Sequence, residues 1–279
     1  MNLQKITTFL LLFALIVIGC GDNADKTAAD SDNMAQFTED EEFKNAHDSP
    51  QKLDYTPKGK MFRYITLDGK KPAMAYVARN NSESKKVVFL IHEWWGLNDY
   101  IKQEADRIAE SIDSINVIAL DLYDGMVTDN PEEAGKLMGK VQEERAKAII
   151  EGAFLRTGED GEIAVMGWCF GGGWALKATI MAGEKGKACV MYYGLPVKTA
   201  AELAPLQAPV LGIFGKNDKW INPEVVKEFE DLVAATKKDL TVRSFDADHA
   251  FANPSSDKYK EKTATEANQL ALEFLKKNL

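Results

Sequence analysis

From about residue 87 onward, short and nearly unbroken apolar runs alternate with longer stretches whose apolar residues recur every three or four positions. The runs Val87–His92 (VVFLIH), Asn116–Leu122 (NVIALDL), Glu162–Gly167, Ala188–Tyr193, Val210–Phe214 (VLGIF) and Thr241–Phe245 have strand length and no polar face, so they predict strands buried on both sides. Helical spacing predicts a helix around Asp99–Ile112, a long one from Pro131 to about Leu155, one after Gly173, one from Pro223 to about Thr236, and a closing helix over Thr263–Leu279. Asn222 and Pro223 suit the cap and first helical position of the fourth. Ahead of these, MFRYITLDGKKPAMAYVARN alternates around Asp68-Gly69, a pair favoured in hairpin turns. The pattern predicts an α/β fold: a mostly parallel sheet with helices on both faces and an antiparallel hairpin at its start. In such sheets ligands gather outside the carboxyl ends of the strands.

The chain before this domain has a different character. Residues Phe9–Ile18 are apolar throughout, but too few to span a bilayer, and read as the hydrophobic region of a targeting signal. The following Val17-Ile18-Gly19-Cys20 resembles the lipobox of bacterial lipoproteins, which implies cleavage before Cys20 and lipid on its thiol and new N-terminus. The expected organisation is a signal peptide over 1–19, an acidic flexible tether over 20–59 and one folded domain over 60–279. That chain would be an extracytoplasmic lipoprotein of the bacterial cell envelope, held at the membrane by its N-terminal lipid and acting as a monomer. Of the net charge of −9, most lies in the tether, where residues 21–50 carry nine carboxylates against two lysines. A nearly neutral domain and an acidic leader exclude nucleic acid as a partner.

The chemistry concentrates in GWCFGGG (167–173), which sets a thiol on a tight turn between a strand and a helix. A structural cysteine serves better inside an element, as Cys189 does in KACVMYYG. With Cys20 assigned to lipid, Cys169 is the thiol left for chemistry, and a domain of this size needs no Cys169–Cys189 disulfide. Asp218 (GIFGKND) and His249 (SFDADHAF) each follow a strand. Nucleophile, acid and histidine in that order match the triad order of α/β-hydrolases, with Gly167-x-Cys169-x-Gly171 as nucleophile elbow. The helix N-terminus and a neighbouring imidazole are expected to favour the thiolate, and Asp218 to hold His249 in the right tautomer. The three histidines show no ligand spacing, so no metal or other cofactor is expected. Nor does Cys169 have a Cys-x-x-Cys partner for redox chemistry.

GWCFGGG, ALDLYDGMVTDNPEEA, GKNDKWINPE and HAFANP together resemble the dienelactone hydrolase family over residues 60–279. The resemblance implies an α/β-hydrolase fold and cleavage of esters or lactones through an acyl-thioenzyme; a cysteine-dependent hydrolase of ester, lactone or thioester bonds is the expected activity. It implies Cys169 as nucleophile, His249 as general base and acid, and Asp218 as its orienter. Glu93, in LIHEWWGLN, would contact the resting thiol and help deprotonate it when substrate binds, since a desolvated carboxylate is a stronger base. The backbone N–H groups of Phe170 and Trp94 would hold the oxyanion. His92 stands outside this set, as an orienter of Glu93 or a strand cap. Family members acting on dienelactone carry an arginine after the DLY segment; Met126 stands there, and Asp124 adds a negative charge. A neutral or different acyl compound is therefore expected in place of dienelactone itself. An acyltransferase on the same fold and a non-catalytic ligand-binding lipoprotein are the alternatives.

Overall fold

In the computed structural model, residues 34–279 are described. The expected signal peptide, Cys20 and the first part of the tether lie outside them. The core is an eight-stranded sheet ordered β1-β2-β4-β3-β5-β6-β7-β8. The strands are β1 (Lys60–Tyr64), β2 (Ala73–Arg79), β3 (Lys86–Ile91), β4 (Asn116–Leu120), β5 (Glu162–Trp168), β6 (Gly186–Tyr192), β7 (Val210–Gly215) and β8 (Leu240–Phe245). β1 pairs antiparallel with β2, and β2 antiparallel with β4, while every pairing from β4 through β8 is parallel. The α/β fold expected from the sequence, with its antiparallel opening hairpin, is the fold observed.

Burial explains the apolar runs. β3, β5, β6 and β7 are buried along almost their whole length, whereas the edge strands β1 and β8 are largely open. The helices that cover the sheet are α2 (Asp99–Ser111), α3 (Pro131–Gly139), α4 (Glu143–Leu155), α5 (Phe170–Ala182), α6 (Ala200–Leu203), α7 (Pro223–Ala235) and α8 (Glu261–Asn278). Asn222 caps α7 as expected, its side chain accepting from the Val225 N–H at 3.0 Å. Among the described residues no helix is long and apolar enough to cross a membrane.

Two expectations are corrected. The single helix over 131–155 is two, because the chain turns at 140–142: the Lys140 N–H bonds back to Lys136 and Leu137, and Gln142 is extended (φ −82, ψ 126) before α4 restarts. The expected tether is folded over its described part. Met34–Phe37 forms a 3-10 turn and Glu41–Asn45 a short helix, α1, whose cap Asp40 accepts from the Glu42 and Phe43 N–H groups at 2.8 and 3.1 Å. Met34, Phe43 and His47 are buried, and Lys44 pairs with Glu132 of α3 at 2.9 Å. Farther on, the Lys58 N–H and the Tyr55 hydroxyl both bond to the buried Asp106 of α2. The acidic residues of this strap cap and pair, and its few apolar side chains are enough to dock it.

Candidate active site

The parallel strands bring their carboxyl ends to one edge, and each singled-out residue follows such an end. β3 leads into His92-Glu93-Trp94, β5 into Cys169, β7 to Asp218 and β8 to His249. Cys169 has φ 53 and ψ −119, a strained conformation for a residue with a side chain. Its N–H donates to Tyr192 O at 3.0 Å and its carbonyl accepts from the Gly172 N–H at 2.9 Å, which ties the turn to β6 and to the first turn of α5. Close packing demands the glycines. A Cβ on Gly171 would lie 2.2 Å from Ile91 O, and one on Gly167 would lie 2.1 Å from Gly171 O. The elbow predicted from GWCFGGG is present.

His249 Nδ1 lies 2.6 Å from Asp218 Oδ2, and Asp218 Oδ1 accepts from the Trp220 and Ile221 N–H groups, both at 2.9 Å. Burial acts against charge on each partner, yet their mutual attraction prevails: the Asp218 carboxyl lies below its ordinary range, and His249, also facing Cys169, lies above its own. His249 Nε2 is buried and has no hydrogen-bond partner. The Cys169 thiol departs from expectation. It is only 1% exposed, and burial pushes it above the ordinary thiol value, although His249 and the Phe170 N–H pull it down. In this closed arrangement the helix N-terminus does not outweigh desolvation.

Glu93 is buried and near enough to act electrostatically on Cys169, but its carboxylate is held by other groups. Asn253 Nδ2 donates to Oε2, and the Tyr193 hydroxyl donates to Oε1 at 3.4 Å. Burial pushes its carboxyl up to about 7, with His249 and Tyr193 pulling the other way. His92 is structural: one ring nitrogen bonds to Glu93 O at 2.6 Å, and the other accepts from the Leu122 N–H at 3.1 Å, joining the ends of β3 and β4. Trp94 is fully buried, and Phe170 opens α5 next to the sulfur. A cavity of about 330 Å³ reaches Glu93 and is lined also by Trp168, Ala252, Asn253, Tyr100 and Arg107. The negative charge assigned to Asp124 is neutralised elsewhere, since Arg145 pairs with it at 2.6 Å; Met126 is 55% exposed.

Several site residues were invisible to sequence reasoning. Tyr193 and Asn253 hold Glu93, and Asn253 lies in the HAFANP segment already singled out. Phe43 and His47 come from the strap: the Phe43 ring packs 5.3 Å from Trp94 and 5.1 Å from Trp220, and the His47 ring lies 4.6 Å from Trp94 and 5.5 Å from His249. Histidines that look scattered along the chain thus converge. A ring nitrogen of His47, a ring nitrogen of His249 and Cys169 Sγ lie within 4.8 Å of one another.

Comparison with known proteins gives the family and the fold. The profile of the dienelactone hydrolase family matches residues 73–279. Protein usf of Aquifex pyrophilus is 31% identical over 205 residues, which cover 69% of this chain and 88% of that one. Carboxymethylenebutenolidase 1 of Cupriavidus pinatubonensis (strain JMP 134 / LMG 1197) is 24% identical over 215 residues, covering 72% and 90%. Among solved structures, the dienelactone hydrolase-like promiscuous phosphotriesterase P91 from metagenomic libraries superposes with a TM-score of 0.66 at 21% identity, covering 79% of this chain and 98% of that one. The chain belongs to the dienelactone hydrolase family and is a carboxylic ester or lactone hydrolase.

Proposed function

We propose that the enzyme cleaves neutral acyl esters or lactones through a thioester on Cys169, with His249 and Asp218 completing a triad. The observation that carries this reading is the arrangement of His249: one nitrogen is fixed by Asp218 at 2.6 Å and the other is free, on the side of a sulfur held at a strained elbow. Substrate enters by the cavity that reaches Glu93. Its arrival desolvates Glu93 further and strengthens it as a base toward the thiol, whose proton burial otherwise retains. The thiolate attacks the carbonyl carbon, and the carbonyl oxygen takes the negative charge between the N–H groups of Phe170 and Trp94. His249 gives a proton to the departing alkoxide, then takes one from the water that hydrolyses the thioester and regenerates the thiol. The preference for a neutral acyl group rests on Met126 standing where the family's arginine would bind a carboxylate.

The lipobox-like Gly19-Cys20 supports attachment to a membrane of the bacterial envelope, with lipid on Cys20. Metabolic labelling with a palmitate analogue tests this: the label should enter the wild-type chain and be absent from Cys20→Ala. The catalytic reading is tested with a chromogenic ester. Cys169→Ala should abolish turnover and Cys169→Ser leave little, while near-normal rates in Cys169→Ala would refute the mechanism.

A further inference from the structure

We propose that His47, Cys169 and His249 form a binding site for one thiophilic divalent cation of the zinc class, and that its occupancy shuts the hydrolase off. The inference stands on how the three donors are presented. His47 Nδ1 lies 2.6 Å from Phe43 O, so the ring donates there and leaves Nε2 as a bare lone pair. His249 repeats the tie, with Nδ1 2.6 Å from Asp218 Oδ2, and offers the same lone pair once its Nε2 proton leaves. Both Nε2 atoms are buried without a partner, and the third donor is a buried sulfur. Metal-binding histidines show this feature: one ring nitrogen is tied to a backbone carbonyl or a carboxylate, which sets the tautomer and turns the other toward the ion.

Two imidazoles and one sulfur suit zinc, which takes four tetrahedral ligands and accepts both donor types. A fourth position would go to water. Bonds of roughly 2.0–2.3 Å set zinc donors about 3.4–3.8 Å apart, so from a spread of 4.8 Å the three must close by about an ångström. His249 is anchored by Asp218 and Cys169 by its elbow, so the movement falls to His47. Its short strap rests on α3 and on the rings of Trp94 and Trp220. Binding replaces the S–H bond of Cys169 by a metal–sulfur bond and the Nε2–H that charged His249 carries by a metal–nitrogen bond, and both displaced protons leave to solvent. Sulfur and His249 Nε2 are then both consumed, so neither attack nor proton transfer can proceed. No oxidant or reductant is involved.

The inhibitory consequence rests on the hydrolase reading, whereas the ligand set does not, so the test reads both. The full-length chain, stripped with chelator and kept reduced, is titrated with Co²⁺ alone and then with Zn²⁺. The expected result is a thiolate-to-cobalt charge-transfer band that saturates at one equivalent and is displaced by Zn²⁺. Ester hydrolysis should fall in step with zinc occupancy and return on chelation. His47→Ala should weaken metal binding by at least ~10-fold, and His47→Cys, which supplies another zinc ligand, should restore it and so separate a lost ligand from a displaced strap. Equal affinity in the wild type and His47→Ala, or absence of the charge-transfer band, would overturn the proposal. If the band forms yet the apo-protein hydrolyses no ester, the site stands and the catalytic reading is what fails.

Discussion

The bond between His249 and Asp218, 2.6 Å from Nδ1 to Oδ2, fixes one nitrogen of a buried imidazole and leaves the other without a partner. The carboxylate is itself held by two backbone N–H groups of the turn after β7, so it cannot swing away. Asp218→Asn keeps the shape but offers an amide that can present an N–H and select the wrong tautomer. We expect kcat to fall by about 10³–10⁴-fold with little change in KM. A loss below tenfold in steady-state ester kinetics would mean that Asp218 does not orient the base.

Glu93 is the second titrating group, and the proposed mechanism needs it ionised. Its burial sets the carboxyl at about 7. The acid limb of kcat/KM is therefore expected near pH 7, well above an ordinary carboxylate, because the protonated form predominates below that value. Glu93→Gln should cost about 10²–10⁴-fold in rate and remove that limb. A wild-type limb near pH 4.5 would contradict the assignment.

His92 predicts a pH dependence of stability. Burial lowers it from 6.5 to about 4, and its neutral form accepts from the Leu122 N–H. The unfolded chain binds a proton between these values and the folded chain does not. The contribution is thus complete above pH 6.5 and disappears as the pH falls toward 4, a change on the order of 3 kcal/mol. Urea unfolding at pH 7 and pH 4.5 should show this loss, and His92→Gln should lessen it, the remainder including His47, which burial lowers to about 3. An unchanged slope in His92→Gln would assign the acid sensitivity to other groups.

The strap brings a ring nitrogen of His47 within 4.8 Å of the sulfur. Phe43 packs on Trp94, Trp220 and His249, and its removal should free the strap locally while the sheet remains folded. Phe43→Ala is expected to speed iodoacetamide modification of Cys169 by roughly tenfold or more, as a buried thiol gains access. Cys189, fully buried in β6, should stay unreactive and serves as the internal control. Equal rates at Cys169 in both proteins, read by peptide mass spectrometry, would show that the strap does not gate the thiol.

What the sequence could disclose follows from how far each signal reaches. Buried parallel strands must be apolar on both faces, so VVFLIH and VLGIF announced themselves, and residues at their carboxyl ends fell to one edge by topology alone. Cys169, Asp218 and His249 were legible for that reason. α1 has five residues, too few for a period, and Phe43 is its one buried apolar side chain, so an acidic stretch read as tether. The break at 140–142 carries no proline and is made by backbone bonds. His47 gains meaning only through proximity to residues more than a hundred positions away. The rise in the thiol's pKa likewise comes from burial by the folded site, which no local stretch announces.

The claim on which the rest depends is a covalent acyl intermediate on Cys169, and mass spectrometry of the full-length protein mixed with a chromogenic ester tests it most directly. The account predicts one acyl group per chain during the burst, mapped to the peptide holding Cys169, labile to hydroxylamine and absent from Cys169→Ala. An acyl group on another residue, or undiminished turnover by Cys169→Ala, would contradict it.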